Sequence, residues 1–475
     1  MSVIFGEYKP DQPAHLQDGL LMADGVQAIA NGYAPIGQFA AAENGTLGAP
    51  CVGAGAYRAA GDVFIFAATA GKIRRYQAPG FTDIKTGLSS TAEIGVRFCP
   101  YNDLMLMTNG VDDIQKFDPA TPSATSALDA SAPTARFMAV VRGFVVAGYT
   151  DGDPLRIAWS DNGDPATWTA GTGEAGFQIL PSGGDVTGVV GGEYGLIFQE
   201  NRIVRMSYTA DDAVWQFDEI ATDVGCIAPW SLATYGKLTF FLSNKGLMAC
   251  DGVSVSAIGS EKVDRTFLHM VDRSYLSAIS AVVDPRNSLY MLSVPSASPA
   301  NQVLLYNFAL QRFTTAPITS QRMFPSLALG MTLEDMDAVY GDLDAVALSL
   351  DSALFRGGYP LVMLFDGNGM LGTLSGDNMA ATLVDGMREW FPGRRARITG
   401  VRPFTDATTA TVSILGQNSL GDMPTETAFT ARSGGGFYRM RQSWNLSQVK
   451  LAIPAGAPWS FVQGYDLEAV AGARA

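Results

Sequence analysis

"LTFFLSNKGLMACDG", residues 238–252, shows the local pattern from which the fold class can be predicted. Two apolar runs of strand length are separated by Ser-Asn-Lys-Gly, and Asp-Gly follows the second run. Apolar and aromatic runs of this length, bounded by turn residues, are typical of a β-hairpin. The stretch therefore predicts two antiparallel strands joined by a tight turn.

Six further stretches have the same form, and they occupy residues 62–76, 103–117, 143–160, 195–208, 288–308 and 361–376. The first six hairpins along the chain begin roughly 40 to 50 residues apart, which is about the spacing of four-stranded propeller blades. One hairpin alone is marginal in water, whereas blades stacked around an axis bury both faces. We therefore predict an all-β chain with a β-propeller of about 6–8 blades. A tandem of β-sandwiches has a similar strand pattern and is the alternative.

The sequence pattern changes after about residue 379, where four longer segments alternate apolar and polar residues. Val412 and Ile414 lie in one segment, and Val449, Leu451 and Ile453 lie in another. Alternation with a period of two indicates antiparallel strands with one buried face. We therefore predict an additional antiparallel β-meander at the C-terminus.

Three parts of the chain follow from these patterns. We predict an extended N-terminal segment over residues 1–50, a propeller body over 51–378, and a C-terminal antiparallel β-sheet over 379–475. The last part is either a closing blade or a small β-domain. Helical spacing of apolar residues occurs over 261–277 and, for one or two turns, over 333–350.

Composition and charge narrow the class of protein. The 475 residues are 47% hydrophobic and include 52 Gly and 24 Pro, which suits a large core and many turns. The net charge of −14 disfavours sequence-specific DNA binding, because such proteins neutralise phosphates with basic residues. The N-terminus lacks the pattern of a signal peptide, and no apolar run reaches the length of about 18 residues that a membrane-spanning helix needs.

Residue types that carry catalysis are sparse. The two histidines are His15 and His269, and the sequence contains no G-x-S-x-G, H-E-x-x-H or P-loop motif. Its cysteines lie far apart without a C-x-x-C pair, which predicts buried free thiols rather than a zinc or redox site. We therefore predict no enzyme activity, no catalytic residue, no cofactor and no metal. The four cysteines are Cys51, Cys99, Cys226 and Cys250.

Residues 156–171, "RIAWSDNGDPATWTAG", bracket a run of turn residues with two tryptophans. The stretch resembles the Ser-x-Asp-x-Gly-x-x-Trp box of sialidases, but its aspartate directly follows its serine and its glycine is too far from the second tryptophan. A calcium loop would need D-x-[DN]-x-[DN]-G and a later glutamate, which are missing. We interpret the stretch as a structural turn clamped by aromatic rings. That turn consists of Trp159, Asp161, Gly163, Pro165 and Trp168.

One region is basic within this acidic chain. Residues 388–441 contain eight arginines and four acidic residues, and Arg394, Arg395 and Arg397 share the sequence "PGRRAR". These three arginines predict a surface that meets an acidic partner or touches DNA phosphates without sequence preference. The alternative is an exposed strand face whose arginines pair with acidic neighbours.

Residues 136–268 and 394–474 resemble the tail hub or nozzle proteins of short-tailed bacteriophages, also called packaged-DNA stabilisation proteins. One similar stretch is "LRIAWSDNGDPATW" (155–168), with its Trp-Ser-Asp and Gly-Asp-Pro-x-x-Trp. The segment 19–37 is similar more loosely, as an entry segment. The other similar stretches are "GLIFQENRIVRM" (195–206), "DVGCIAPWSLATYGKLTFFLSNKGLMACDG" (223–252) and "IPAGAPWSFVQGYDLEAVAGAR" (453–474).

The resemblance implies a structural virion protein, assembled in the host cytoplasm into a homohexameric ring of the phage tail. Such a ring sits below the portal and its adaptor ring, contacts other tail proteins or fibres, and retains the packaged DNA. Genomic DNA passes through its lumen non-specifically at ejection, and an acidic lining would keep that DNA from sticking.

Two other functions remain open from the sequence. One is a carbohydrate-binding or glycan-degrading tail-associated β-propeller, for which Trp215 with Asp211 and Asp212 is the best cluster of an aromatic ring and two carboxylates. The other is a propeller scaffold encoded by a host cell.

Overall fold

The computed structural model describes residues 1–16, 18–77, 80–211, 213–271, 273–294, 302–328 and 359–474. Nearly all regular structure in these residues is β-strand. The first strands are β1 (Ser2–Ile4), β2 (Leu20–Asp24), β3 (Val26–Ile29), β4 (Gly32–Pro35) and β5 (Ala40–Thr46).

The described chain then forms seven antiparallel units of four strands each. In the first six units the four strands follow one another along the chain. The first unit is β6 (Gly53–Ala59), β7 (Asp62–Thr69), β8 (Lys72–Gln77) and β9 (Gly80–Thr86). The second is β10 (Arg97–Tyr101), β11 (Leu104–Thr108), β12 (Gln115–Phe117) and β13 (Ser126–Ala127). The third is β14 (Ala135–Val141), β15 (Phe144–Thr150), β16 (Asp153–Trp159) and β17 (Gly176–Ile179). The fourth is β18 (Val186–Val190), β19 (Gly195–Gln199), β20 (Arg202–Tyr208) and β21 (Trp215–Thr222).

The remaining units use strands up to residue 373 and one strand from the N-terminus. The fifth is β22 (Ala233–Tyr235), β23 (Leu238–Ser243), β24 (Gly246–Cys250) and β25 (Val255–Ala257). The sixth is β26 (Ser280–Asp284), β27 (Leu289–Val294), β28 (Gln302–Asn307) and β29 (Arg312–Ala316). The seventh is β30 (Arg322–Leu327), β31 (Pro360–Phe365) and β32 (Met370–Thr373), completed by β5 as its fourth strand.

All seven predicted hairpins are present, and each forms the two middle strands of one unit. In the stretch 238–252, Ser243 pairs with Gly246 across a two-residue turn. Phe240, Leu242 and Leu247 on these strands are buried. The apolar runs mark middle strands because these are covered on both faces by neighbouring units, so they carry few polar positions.

The units form a closed ring around an axis. A hydrophobic cluster fills each space between consecutive units of the described chain, and one such cluster joins the seventh unit to the first. In that closing cluster Phe324 and Phe365 pack with Ile65 and Ala67, and strand β30 lies against β6. This arrangement is a β-propeller, so the predicted fold class is confirmed.

Both ends of the chain build a β-sandwich beside the ring. Its C-terminal strands are β33 (Ala381–Asp385), β34 (Arg394–Thr405), β35 (Thr411–Gln417), β36 (Thr425–Phe429), β37 (Tyr438–Trp444), β38 (Leu446–Ile453) and β39 (Val462–Arg474). One sheet has the order β3-β4-β39-β34-β37, with β1 paired to β39. The other sheet has the order β2-β33-β38-β35-β36. Their facing sides share one core that includes Val26, Tyr33, Ile398, Val412 and Leu451.

The sandwich and the propeller share a sheet. Strand β2 pairs in parallel with β29 at Asp24 and Thr315, so the sixth unit and one sandwich sheet form a continuous sheet of nine strands. The Gly25 amide also donates to the Thr315 carbonyl at 2.8 Å. Backbone hydrogen bonds therefore couple the two parts of the molecule.

The predicted N-terminal segment and the predicted C-terminal sheet are both divided among several sheets of the structure. The N-terminal segment, 1–50, contributes strands to three different sheets, and the strands of 379–475 pair antiparallel but are divided between two facing sheets. The helical pattern over 261–277 forms a helix α1 (Asp264–Met270) and a 3-10 helix η2 (Arg273–Ala278). A second 3-10 helix, η1 (Pro229–Ser231), precedes the fifth unit. The helical prediction for 333–350 lies outside the described residues.

Candidate interaction surface

Strand β34 presents arginines on the outer side of the sandwich. Arg394 and Arg395 are exposed where the strand begins, and Arg397 is exposed between the buried residues Ala396 and Ile398. Successive side chains of a strand point to opposite faces, so Arg395 and Arg397 lie on the solvent face. The neighbouring strand β37 follows the same alternation and adds exposed Arg441 beside buried Met440.

Two other arginines of this face have acidic partners. Arg402 forms an ion pair with Asp466 at 2.5 Å, and Arg439 pairs with Glu468. The guanidinium groups of Arg402 and Arg439 also lie 5.2 and 4.7 Å from the centre of the Phe437 ring. The pairing of exposed arginines with acidic neighbours, the alternative raised from the sequence, thus applies to these two residues.

Four arginines keep their charge free of such pairs. Within the described part of the chain, no carboxylate lies within 4.0 Å of a nitrogen of Arg394, Arg395, Arg397 or Arg441. We call these four residues the arginine face. Arg397 is paired across the sheet with Val470, whose side chain is 56% exposed. The surface therefore combines unpaired positive charge with accessible apolar area, a combination that suits a protein interface.

The stretch 156–171 is held by hydrogen bonds within itself and to residues on either side of it. The Asp161 carboxylate accepts the backbone N–H groups of Asn162 at 2.9 Å and Glu174 at 2.8 Å. Gly163 has a φ of +79°, which places it in the left-handed region, and its N–H donates to the Gly143 carbonyl at 3.0 Å. The loop thus uses its carboxylate oxygens as backbone acceptors.

The two tryptophans hold the ends of this loop. Trp159 and Trp168 are both buried. The indole N–H of Trp168 donates to the Pro165 carbonyl at 2.7 Å, and that of Trp159 donates to the Glu174 carbonyl at 2.8 Å. Each ring therefore combines apolar packing with a satisfied polar group.

Asp161→Ala is expected to lower the free energy of unfolding by about 1–3 kcal/mol, because two backbone donors lose their acceptor. Asp161→Asn retains one carbonyl oxygen and serves as the matched control with a smaller loss. Urea denaturation measures both values. Excess Ca²⁺ is expected to leave the melting temperature of the wild-type chain unchanged, and a saturable rise that disappears in Asp161→Ala would contradict the structural interpretation of the loop.

The residues suited to catalysis or metal binding are dispersed. His15 and His269 are both exposed, and the described residues contain no group of three or more His, Cys, Asp or Glu able to hold a metal ion. All four cysteines are free and buried, as predicted. Within the described ranges no helix is both long and apolar enough to cross a membrane.

The aromatic ring suggested for glycan binding lies in the interior. Trp215 is only 4% exposed and packs edge-on against Phe144, with ring centres 4.9 Å apart. Asp211 is exposed, and Asp212 lies outside the described residues. A sugar needs an accessible ring to stack on, and Trp215 offers none in this arrangement.

The centre of the propeller contains a cluster that sequence reasoning did not identify. The guanidinium groups of Arg97 of β10 and Arg322 of β30 both contact the ring of Trp230 in η1. They lie 3.4 and 4.0 Å from the ring centre. These residues come from three distant parts of the chain and share no local motif. Only the closure of the ring brings them together.

Comparisons with known proteins identify no relative by sequence. No protein family and no curated protein matches the chain. Solved structures match at low identity. The WD40 domain of Neurospora crassa Pan2 is 8% identical, with 72% of this chain and 89% of that chain covered and a TM-score of 0.37. BBS1N, solved in complex with ARL6DN, is 12% identical, with 72% and 99% covered and a TM-score of 0.40.

A bacterial surface protein is similar to a comparable extent. PorZ, a component of the type-IX secretion system of Porphyromonas gingivalis, is 13% identical, with 82% of this chain and 46% of that chain covered and a TM-score of 0.36. The propeller assignment of this chain therefore rests on its own sheet order and on the clusters between its units.

Proposed function

We propose that this chain is a structural virion protein, a subunit of the nozzle or hub ring in the tail of a short-tailed bacteriophage. In this proposal six copies surround the tail axis below the portal and adaptor ring, retain the packaged genome and form the conduit for its ejection. The resemblance of residues 136–268 and 394–474 to this class of protein supplies the identity of the assembly. The observation that carries self-assembly is the arginine face.

Charge segregation favours a contact between different patches of neighbouring copies. The chain has a net charge of −14, yet Arg394, Arg395, Arg397 and Arg441 lie exposed in two neighbouring strands of one sheet and form no ion pair with a described residue. A ring forms by repeating a heterologous contact, in which one patch of each copy meets a different patch of the next. A basic face on an acidic protein is attracted to the acidic surface of another copy, which speeds and orients such a contact.

The coupling of propeller and sandwich also supports a structural role. The nine-stranded sheet runs from the sixth propeller unit into the sandwich without a break. Strand β5 also ties the N-terminal part of the chain into the seventh unit. A ring subunit that retains packaged DNA needs its parts to move together, and shared backbone hydrogen bonds provide that coupling.

The conduit in this proposal is the axis of the ring of copies, not the axis of one propeller. Trp230, Arg97 and Arg322 occupy the centre of each propeller. DNA therefore passes between subunits, along surfaces whose predominantly acidic charge keeps its phosphates from binding.

Reversing three charges of the arginine face is expected to abolish assembly. Arg394→Glu, Arg395→Glu and Arg397→Glu together replace attraction to an acidic neighbour by repulsion, since like charges brought together at an interface are strongly unfavourable. The measurement is electron microscopy of the concentrated chain, classified without imposed symmetry, together with its mass in solution. We expect sixfold rings with a central hole for the wild type and single subunits for the triple variant.

A matched control separates a specific contact from a general change of charge. Arg58, Arg265 and Arg286 are exposed arginines outside the sandwich sheets, and their combined replacement by Glu changes the net charge by the same amount. This control is expected to form rings like the wild type. If the wild type stays a single subunit at every concentration, or if the two triple variants behave alike, the arginine face is not an assembly contact.

A further inference from the structure

A solvent-connected cavity of about 460 Å³ lies at the centre of the propeller. Its wall includes Arg97 of β10, Arg136 and Phe137 of β14, Trp230 of η1 and Ser277 of η2. Glu93, which is exposed, is the one acidic residue among its described lining residues. Because one water molecule takes about 30 Å³ of liquid volume, the cavity has room for a small solute together with water.

Arg97 lies beside this cavity, and two of its guanidinium nitrogens are buried there. Its Nε and Nη2 atoms are buried, and neither donates a hydrogen bond to any described residue. Its guanidinium group lies 3.4 Å from the centre of the Trp230 ring and 5.4 Å from that of Phe137. The residue still keeps part of its surface open. Aromatic faces thus hold the charge in place without neutralising it.

Arg322 adds a second buried charge next to the first. It is 4% exposed, and it donates from Nη1 to the Ile279 carbonyl at 2.9 Å and from Nη2 to the Ser277 carbonyl at 3.0 Å. Its Nε atom has no partner among the residues that the structure describes. Carbonyl dipoles therefore orient Arg322, but they do not supply a counter-charge.

The cavity wall carries excess positive charge. No carboxylate of the described chain forms an ion pair with Arg97, Arg136 or Arg322. Burial, and then the charge of Arg322, lowers the pKa of Arg97 to about 9, and burial lowers the pKa of Arg322 to about 10. Both groups are charged at neutral pH, and buried charges without a counter-ion are unfavourable. An anion in the cavity would restore the balance.

We propose that the central cavity is a binding site for a small oxyanion, with Arg97 and Arg136 as its direct ligands and Arg322 as a supporting charge. Guanidinium groups bind phosphate and carboxylate oxygens with directed hydrogen bonds, which suits this class of ligand. Arg136 is held over the Tyr149 ring at 3.8 Å, so its position on the wall is also defined. Glu93 on the same wall weakens anion binding by repulsion. The site belongs to a single chain and does not depend on ring assembly.

The test uses inorganic phosphate as the probe and the full chain as the protein. Isothermal titration calorimetry at constant ionic strength, balanced with chloride, is expected to show one saturable site in the wild type. Arg97→Gln is expected to weaken phosphate binding by at least about tenfold, which corresponds to the loss of one charge-assisted contact. Arg395→Gln removes an equal charge from the arginine face and is expected to bind as the wild type does.

Three further variants test the same oxyanion site. Arg136 also lies on the cavity wall, and Arg136→Gln is expected to weaken phosphate binding, so it replaces Arg97→Gln as the test if that variant does not fold. Glu93→Gln is expected to tighten phosphate binding. Phosphate is expected to change the tryptophan fluorescence of the wild type but not that of Trp230→Phe. The proposal is wrong if the wild type shows no saturable binding, or if Arg97→Gln and Arg136→Gln, where folded, bind phosphate as tightly as Arg395→Gln.

Discussion

Gly95→Ala is expected to lower the free energy of unfolding by about 2–4 kcal/mol, the combined cost of overpacking and of a left-handed backbone. Gly95 has a φ of +69°. A methyl group at this position would overlap Cζ2 of Trp230 and lie 2.5 Å from the Val52 carbonyl oxygen. The close approach of the backbone to the indole ring therefore requires glycine.

Neither neighbour of that methyl group can move freely. The Val52 carbonyl accepts the Val96 N–H at 3.3 Å. Trp230 is followed by Ser231, whose hydroxyl donates to the Ala228 carbonyl at 2.7 Å and whose carbonyl accepts the Tyr290 hydroxyl at 2.8 Å. Because both sides are fixed, the substitution costs stability rather than causing a small local shift.

Gly87→Ala is the matched control for this prediction. Gly87 has a φ of +76°, and a methyl group there would meet no atom within 4 Å. The control therefore measures the backbone cost alone, about 1–2 kcal/mol. Urea denaturation followed by tryptophan fluorescence gives both values. Equal losses in the two variants would mean that the Trp230 ring is not tightly packed against Gly95.

Asp385→Ala is expected to lower the free energy of unfolding by about 2–4 kcal/mol, because it leaves the half-buried Arg388 and the buried Tyr465 hydroxyl without their acceptor. Asp385 is 0% exposed. Its carboxylate accepts Nε and Nη2 of Arg388, both at 3.1 Å, and the Tyr465 hydroxyl at 2.6 Å. Asp385 ends a strand of one sandwich sheet and Tyr465 lies in the other, so the carboxylate links the two sheets.

The pKa shifts of Arg388 and Tyr465 keep both hydrogen-bond donors to Asp385 protonated. Burial alone would lower the pKa of the Arg388 guanidinium, but the hydrogen bonds and charge of Asp385 outweigh it and the pKa is raised. Burial and the charge of Asp385 raise the pKa of the Tyr465 hydroxyl well above its usual value. Arg388 therefore stays charged and Tyr465 stays a hydrogen-bond donor over the whole neutral range.

Two further variants separate the contributions of Tyr465 and Arg388 to the stability lost in Asp385→Ala. Tyr465→Phe removes one hydrogen bond to a charged group and is expected to cost about 1.5–3 kcal/mol. Asp385→Ala combined with Arg388→Met leaves no unpaired charge and is expected to be more stable than Asp385→Ala alone. Thermal or urea denaturation measures each value. A double variant no more stable than the single one would show that Arg388 finds solvent readily when its partner is removed.

Local patterns were sufficient to predict the propeller hairpins. In the stretch 238–252 the apolar runs and the intervening turn residues specify two strands and their connection, and no distant part of the chain is needed for that inference. The alternation around Ile398 and Val412 likewise identified strands with one buried side. It did not say which sheet each strand joins, because a period of two is the same in either sheet.

The arginine face was foreseen in part. The sequence "PGRRAR" placed Arg394, Arg395 and Arg397 together because they are neighbours in the chain. Which of the nearby arginines are paired could not be read from it, since Asp466 lies 64 residues after its partner Arg402 and Glu468 lies 29 residues after its partner Arg439.

The strands, their turns and the all-β class could be predicted from local sequence, because hydrophobic period and turn chemistry act between residues close in the chain. Long-range packing is what places β5 in the last propeller unit, both termini in one sandwich, and Arg97 and Arg322 against Trp230. Such contacts join residues that are far apart in the chain. They arise from closing a ring and packing its faces, which no local pattern encodes.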